Sequence, residues 1–255
     1  MSLHWRSPLI FAHRGASAQA PENTLSAFEL AVQSGADVIE LDAKLSADEH
    51  VVIIHDQTVD RTTDGTGNVS NLPLAALQEL NASINFPEFS NKEHIPTLEE
   101  VIESLRGKTL IDIELSNYKS PFDALPAKVA QIILHFGIHE HVLVSSFHPI
   151  PLKKFHQLLP SIPIGFLAKR GFQGSLSRSK LGRLIVPHQA LHPEKSDISP
   201  NLVLASHQSG LRVHTYTVNE PDEITRLFKL GVDGIITDNP LLTRRILESF
   251  SELES

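Results

Sequence analysis

The sequence predicts a (β/α)8 barrel of the TIM type, in the α/β class, with a small insertion after the second strand. Short apolar runs alternate with amphipathic helical segments along the whole chain. The length of 255 residues suits this fold, because such barrels often form one unit of about 250 residues. We therefore predict a single barrel domain over residues 8–250.

The predicted strands are short runs rich in aliphatic and β-branched residues. In chain order they cover residues 8–13, 37–43, 109–116, 141–147, 162–168, 183–187, 211–218 and 233–238. The glycine-spaced stretch at 171–182 fits neither pattern, so it stays without a prediction.

The predicted helices follow the strands and begin or end at Gly, Pro or a capping residue. They cover residues 22–35, 96–107, 120–137, 149–160, 199–210, 220–231 and 239–250. Pro126 is expected to interrupt the early part of its helix, and Ser199 is expected to cap another. The Asp238–Asn239–Pro240 sequence is typical of a helix start with proline in the first turn.

The insertion begins after the second strand. Asp48 and Glu49 predict a turn between two extended pieces, and a long segment then runs from Gln57 to about Pro96. Such a length is unusual for a plain connection and indicates a functional excursion. A doubly wound open sheet would also alternate strands and helices, but the first strand ends in AHRGASAQA and not in a GxGxxG sequence.

Composition excludes several classes of protein. The net charge of −8, from 22 basic and 30 acidic residues, gives no basic footprint for nucleic acid. The absence of cysteine excludes disulfides and thiolate chemistry. The N-terminus has no signal-peptide pattern and no run nears the ~20 apolar residues of a membrane helix. We expect a cytoplasmic protein without membrane insertion, and the oligomeric state stays open.

Five polar residues stand at or near the ends of the first three barrel strands. They are His13, Glu40, Asp42, His55 and Glu114. In such a barrel these ends meet at one mouth, where active sites lie. Residues two apart in a strand share a face, so two of the carboxylates lie side by side in an otherwise apolar strand. A cation between them would offset the cost of burying two like charges.

Carboxylate oxygens favour a hard cation. Glu40, Asp42 and Glu114 therefore predict a site for one divalent cation, Mg²⁺ or Ca²⁺, with Mn²⁺ as a further candidate. His13 and His55 are suited to proton transfer near neutral pH. Arg14 could bind phosphate through its forked guanidinium, or pair with one of the carboxylates.

The ordered set of motifs resembles the glycerophosphodiester phosphodiesterase family across nearly the whole chain. The matching sequences are HRG at 13–15, PENT at 21–24, the ExD of residues 40–42, HD at 55–56, DRTTDGTG at 60–67, PTLEE at 96–100, IDIE at 111–114, SSF at 145–147, TYTVN at 215–219 and GVDGIITDNP at 231–240.

The resemblance implies a metal-dependent hydrolase that acts on a small-molecule glycerophosphodiester and releases glycerol 3-phosphate and an alcohol. It assigns acid and base roles to His13 and His55, and phosphate binding to Arg14. It assigns the metal to Glu40, Asp42 and Glu114. Phe147 is expected to line the alcohol pocket, with a core position as the alternative, and Asp112 is expected to support the site.

This chain departs from the family pattern at two positions. Ser116 stands where the family usually has lysine, two residues after the strand glutamate, so a positive charge near the phosphate is missing. Lys44, Lys119 and Lys169 are candidate substitutes. Tyr216 stands where the family often has tryptophan.

Several alternatives stay open at the level of sequence. The same site could act on a lysophospholipid or another phosphodiester, or the barrel could be weakened and only bind a phosphorylated ligand. The attacking group could be water or a neighbouring substrate hydroxyl. Either histidine could be the base. Asn23 could belong to the site or only cap a helix.

Overall fold

A computed structural model of the chain describes residues 8–87, 89 and 92–254. Eight parallel strands pair in a ring, because β1 contacts both the second and the last strand in sequence. The predicted barrel is thus confirmed. The strands are β1 Leu9–His13, β2 Val38–Leu45, β3 Val51–Ile53, β4 Leu110–Leu115, β5 Val142–Ser146, β6 Ile164–Ala168, β7 Ala190–Pro193, β8 Arg212–Thr215 and β9 Gly234–Thr237, of which β3 lies outside the ring.

Helices cover the outside of the barrel. Their bounds are α1 Leu25–Gln33, α2 Leu74–Gln78, α3 Leu98–Leu105, α4 Leu125–Phe136, α5 Pro149–Leu158, α6 Lys180–Ile185, α7 Pro200–Gln208, α8 Pro221–Lys229 and α9 Pro240–Glu254. Among the described residues, no helix is both long and apolar enough to cross a membrane.

Side chains at the helix starts cap the helices by hydrogen bonding to backbone amides of the first turn. Thr97 accepts a hydrogen bond from the Glu100 amide, and the Glu100 carboxylate accepts one from the Thr97 amide. This capping box satisfies two backbone donors that a helix start leaves unpaired. Ser199 caps α7 as predicted, through a hydrogen bond from the Leu202 amide.

Alternation along the strands divides the apolar core from the site. On β2, Ile39 and Leu41 point outward and pack with the helices in the main hydrophobic cluster. The residues between them, Glu40 and Asp42, point into the barrel. β4 pairs with β2 in parallel, with Asp42 opposite Glu114. The register of these two strands therefore brings carboxylates from both to the same level inside the barrel.

The lower interior of the barrel is filled by rings rather than by aliphatic side chains alone. His192 on β7 and His214 on β8 are fully buried and lie 3.1 Å apart, Nε2 to Nδ1. Phe11 packs against both rings. Gly165 on β6 makes room for this arrangement, because a Cβ there would lie 2.5 Å from Nε2 of His192.

The insertion after β2 has a small core of its own. β3 pairs antiparallel with the end of β2, as the predicted turn at Asp48 and Glu49 requires. The long segment that follows contains a 3-10 turn at Val69–Asn71 and helix α2. Its apolar residues pack on β3 in a separate cluster made of Val52, Ile54, Val59, Val69, Leu77 and Ile95.

One predicted strand lies elsewhere in the structure. The strand predicted at 183–187 is wrong: Arg183 to Ile185 belong to α6, and the strand is Ala190–Pro193. A short apolar run does not distinguish one helical turn from a strand. The true strand contains His192 and Pro193, so it lacks the apolar pattern expected of a strand. Pro126 lies in the first turn of α4, which starts at Leu125.

The N-terminal pattern that was examined for a signal peptide includes residues 1–7, which lie outside the described part of the chain.

Gly165→Ala should lower the free energy of unfolding by about 1–3 kcal/mol, since the added methyl group overpacks the His192 ring. Urea unfolding of the purified protein measures this. The cost should shrink when His192 is already alanine, because the clash is then gone. An equal cost in both backgrounds would show that the close approach of glycine and ring does not determine the effect.

Candidate active site

Three buried carboxylates form the centre of the barrel mouth. Each of Glu40, Asp42 and Glu114 offers an oxygen, and these oxygens all lie within 4.8 Å of one another. The three side chains are almost fully shielded from solvent. Two come from alternate positions of β2 and one from the neighbouring strand β4, so the strand register alone places them together.

Burial and mutual repulsion control the charges of this cluster. Burial, Asp42 and Glu114 raise the pKa of Glu40 well above its usual range. Burial, Asp42 and Asp112 do the same for the pKa of Glu114. Burial alone would also raise the pKa of Asp42, but Arg14, His55 and the Asn23 amide lower it below the usual range. Without a cation, the cluster holds its full negative charge only at a considerable cost.

The residues present fit a divalent cation. Their donors are carboxylate oxygens only, which hard cations prefer. Their spacing allows several of them to reach one ion, and the raised pKa values show that charge compensation is incomplete without one. The chain thus has a buried acidic site that can hold a divalent cation.

His13 is fixed by a carboxylate from the opposite end of the chain. Its Nδ1 lies 2.6 Å from Oδ1 of Asp238, which follows β9. Asp238 also accepts hydrogen bonds from Asn219 and Ser17. With Nδ1 bound in this way, Nε2 is the ring nitrogen left for chemistry. The helix start predicted for Asp238–Asn239–Pro240 is confirmed: Asn239 caps α9 through a hydrogen bond from the Leu242 amide, and Pro240 is the first residue of the helix.

His55 has the same arrangement with a nearer partner. Its Nδ1 lies 2.6 Å from Oδ1 of Asp56, and Arg61 donates from Nε to the second oxygen of Asp56 over 2.6 Å. Arg61 also holds Glu22 through two hydrogen bonds of 2.7 and 2.8 Å. Arg61, from the DRTT segment of the long loop, is held by Glu22 and in turn holds Asp56. The segment therefore helps to position His55 through Asp56.

Arg14 connects this network to the carboxylates. Its Nη1 donates to Glu22 over 2.9 Å, and its Nε lies 3.4 Å from Asp42. Its backbone amide donates to Glu40 over 3.0 Å. The guanidinium is thus paired with acidic residues at the edge of the cavity, as one of the two sequence-based alternatives for Arg14 expected. Its position at the cavity also leaves it within the region where a phosphate would bind.

The backbone around Arg14 is held in an unfavourable conformation. Arg14 and Asn23 have φ values of +57° and +59°, which non-glycine residues adopt rarely. Gly15 also has positive φ, and a Cβ there would lie 2.7 Å from the backbone of Ala27. Asn23 donates to Asp42 over 3.0 Å, so it belongs to the site; the α1 cap is Thr24.

Lys44 occupies the space that Ser116 leaves open. It is two residues beyond Asp42 on β2 and lies opposite Ser116, since Ala43 pairs with Leu115. Its Nζ donates to the Ser116 carbonyl over 2.7 Å and to the hydroxyl over 3.0 Å. Lys44 is only 5% exposed. Burial lowers the pKa of this lysine, while Asp42 and Glu114 oppose that shift.

Of the candidate substitutes for the lysine absent at position 116, Lys44 is the one that contacts Ser116. A buried ammonium group lies at the rim of the carboxylate cluster, contributed by the strand next to Ser116. Of the other candidates, Lys169 lies with Nζ 5.9 Å from the centre of the Phe147 ring.

Aromatic rings form the other wall of the site. Phe147 packs edge-on against Tyr118 and Tyr216, with ring centres 5.9 and 5.6 Å apart. The Tyr118 hydroxyl donates to Glu114, and that of Tyr216 donates to the Ala168 carbonyl. Burial, followed by the nearby charge of Glu114, raises the pKa of Tyr216. This wall is apolar and faces an acidic one.

A cavity of about 200 Å³ connects these groups. The seven residues predicted as site residues line it: His13, Arg14, Glu40, Asp42, His55, Glu114 and Phe147. Tyr216 and Thr217 line it as well. The structure thus brings these seven side chains to one cavity.

Asp112 and His192 lie at the floor of the cavity. Asp112 is fully buried, one layer below Glu114, and lies 3.8 Å from Nδ1 of His192. Burial raises the pKa of Asp112 to about 7, although the Ser145 hydroxyl opposes the shift. Burial lowers the pKa of His192 to about 3.

Sequence reasoning missed the residues that orient the predicted ones. Asp238 and Asn219 come from the last quarter of the chain, so no local pattern connects them with His13. Asp56 follows His55 directly, and the HD pair was itself a signal for it. Glu22 and Arg61 lie within the PENT and DRTT sequences, whose polar residues looked equally suited to turns and caps.

Comparison with known proteins assigns the family. The family model described as the glycerophosphoryl diester phosphodiesterase family matches residues 13–242. Among curated relatives, the glycerophosphodiester phosphodiesterase of Caldanaerobacter subterraneus is 39% identical over 233 residues, covering 91% of this chain and 94% of that protein. That of Bacillus altitudinis is 38% identical over 235 residues, with the same coverage.

Solved structures agree with these sequence relatives. A phosphodiesterase from Oleispira antarctica, solved with its product sn-glycerol-3-phosphate, superposes with a TM-score of 0.87 at 29% identity, covering 97% of this chain and all of that one. The Agrobacterium tumefaciens glycerophosphodiester phosphodiesterase gives 0.80 at 30% identity, covering 92% and 98%. The chain therefore belongs to the glycerophosphodiester phosphodiesterase family of phosphoric diester hydrolases.

Proposed function

We propose that this protein hydrolyses glycerophosphodiesters to glycerol 3-phosphate and an alcohol, with one divalent cation and two histidines. One observation carries the proposal: two histidines, each held through Nδ1 by a carboxylate, share a cavity with three clustered, buried carboxylates. We further propose that residues 8–250 form the single catalytic domain.

The charges of the cavity support a cation at the carboxylates. A phosphodiester is an anion and would be repelled by Glu40, Asp42 and Glu114. Held by these three residues, a divalent cation would offset most of their negative charge and act as a Lewis acid on a phosphoryl oxygen. Mg²⁺ and Ca²⁺ fit the oxygen-only donors, with Mn²⁺ as a further candidate.

His13 and His55 divide the proton transfers between them. One removes a proton from the attacking oxygen, and the other donates a proton to the leaving alkoxide. Asp238 and Asp56 orient the two rings and stabilise the protonated form of each. The attacking oxygen belongs to water, or first to the neighbouring substrate hydroxyl, which expels the alcohol and forms a cyclic phosphate that water then opens to glycerol 3-phosphate. Both routes use the same two rings.

Arg14 and Lys44 stabilise the negative charge on the phosphate. The Arg14 guanidinium borders the cavity beside Asp42, and the Lys44 ammonium lies at the rim of the carboxylate cluster next to Ser116. Phe147 and Tyr216 give an apolar surface for the carbon atoms of an alcohol. A weakened, binding-only barrel had Ser116 as its support, and the role proposed here for Lys44 argues against it.

Turnover should depend on the cation and on Glu40. Glycerol 3-phosphate release from glycerophosphocholine and glycerophosphoethanolamine should stop in EDTA and return when Mg²⁺, Ca²⁺ or Mn²⁺ is added. His13→Ala and Glu40→Ala should both lose turnover. A folded protein that stays inactive with every cation would contradict the proposed reaction.

Binding of the cation is measured separately by thermal unfolding. The cation should stabilise wild type and His13→Ala by about 2.7 kcal/mol at about 100 times its Kd, but not Glu40→Ala. The raised pKa values of Glu40 and Glu114 mean that the cation-free fold loses stability as the pH rises above the usual glutamate value of 4.5. Stabilisation by the cation should therefore grow with pH, and a constant value would argue against these ligands.

Substrates with activated leaving groups should separate the roles of the histidines. A glycerophosphodiester of nitrophenol has a leaving group that needs no proton, so this substrate should rescue the variant that lacks the acid and not the one that lacks the base. The measurement compares kcat for His13→Ala and His55→Ala on this substrate and on glycerophosphocholine. An identical response of both variants would contradict a division of labour.

Lys44→Met should lower kcat/KM by about ten- to hundredfold, because a charge-assisted contact with the phosphate is lost. The double variant Lys44→Met/Ser116→Lys returns an ammonium group from the adjacent strand and should recover most of this loss. Lys119→Met is the matched control on an exposed lysine. If the double variant is no better than Lys44→Met, the position of the charge does not matter as proposed.

A further inference from the structure

The segment after β6, residues 169–184, differs in charge from the rest of the chain. It contains five basic residues and no acidic one, whereas the whole chain has a net charge of −8. The basic residues are Lys169, Arg170, Arg178, Lys180 and Arg183. A strong local charge of opposite sign indicates a surface with a function of its own.

Most of this positive charge is not compensated within the chain. Arg178 pairs with Asp197 at 2.7 Å. Among the residues that the structure describes, the other four basic side chains have no acidic group within 4.0 Å. These four cations therefore have no acidic partner, although Arg183 donates to the Ser209 carbonyl and Lys169 lies over the Phe147 ring.

The same segment exposes large apolar side chains. Phe172 is 92% exposed, Leu181 59% and Leu184 82%. Phe172 stands in the turn Gly171–Gly174 and Leu181 on the short helix α6. Exposed apolar side chains interspersed with cations are typical of elements that lie in a lipid interface.

The segment lies beside the mouth of the cavity. Leu167, near the end of β6, lines the cavity, and Nζ of Lys169 lies above the Phe147 ring of the cavity wall. Phe122 is 77% exposed and belongs to the loop after β4, two strands along the same rim. The first part of the segment, with Lys169 and the exposed Phe172, thus follows the carboxyl end of β6, where the site opens, whereas Arg183 at the end of α6 reaches the Ser209 carbonyl ahead of β8.

We propose that residues 169–184 dock the protein on an anionic lipid surface, with the barrel mouth turned towards the lipid. The cations bind anionic headgroups, and Phe172 and Leu181 enter the headgroup layer. The positive charge of the segment is complementary to such a surface. A symmetric contact between two copies would instead place four uncompensated cations against four others, which disfavours it.

The experiment is co-sedimentation of the full chain with vesicles. Phosphatidylglycerol mixed with phosphatidylcholine gives the anionic surface, and phosphatidylcholine alone gives the neutral one. Binding is expected on the anionic vesicles only, and raising the salt concentration should weaken it. Arg170→Gln/Lys180→Gln should weaken binding by roughly 25-fold, at about fivefold per cation near the surface.

Apolar variants test the second half of the contact. Phe172→Ser/Leu181→Ser should weaken binding about tenfold or more. Leu134→Ser/Leu204→Ser is the matched control, because these leucines are 59% and 57% exposed and lie on α4 and α7. The control should bind as wild type does. Turnover of soluble glycerophosphocholine should be unchanged in all of these variants, which verifies the fold.

Three outcomes would overturn the proposal. The first is no binding to anionic vesicles by the folded wild type. The second is equal loss in the Phe172/Leu181 and Leu134/Leu204 variants. The third is a dimer in size-exclusion chromatography that the Phe172/Leu181 variant abolishes, since a second copy of the chain would then cover this surface.

Discussion

The repulsion between three buried carboxylates is the constraint on which the rest of the site depends. Glu40, Asp42 and Glu114 face one another in a closed barrel, where little water is present to screen them. Arg14, Lys44 and Asn23 each reduce part of this cost, yet the pKa values of the two glutamates stay high. A site built in this way favours a cation, and a bound cation then makes room for an anionic substrate.

The neighbouring groups can be understood from the same constraint. The histidines are held by Asp238 and Asp56, and not by the central carboxylates, so the cluster remains free for a metal ion. Arg61 and Glu22 fix the geometry on the His55 side by pairing with each other. Asp112 and His192 are buried below the cluster.

Lys44 on β2 and Ser116 on β4 illustrate how two neighbouring strands contribute to one region of the site. Lys44 and Ser116 are neighbours across a parallel strand pair, so either strand can contribute an ammonium group to the same region. A comparison by position finds a lysine absent, whereas the space near the carboxylates still contains one. In this chain the positive charge near the carboxylates comes from Lys44 on the neighbouring strand.

The sequence alone determined the barrel, the insertion and the side chains that line the cavity. Period-two and helical patterns repeat along the chain, and polar residues at strand ends stand out against them. Only the tertiary structure decided the partners of these residues: Asp238 for His13, Lys44 beside Ser116, and His192 in the space above Gly165. Each of these contacts joins positions distant in the chain or on different strands, and closure and register of the barrel bring them together. The strand Ala190–Pro193 was missed for the same reason, because its histidine faces an interior that local hydrophobicity does not reveal.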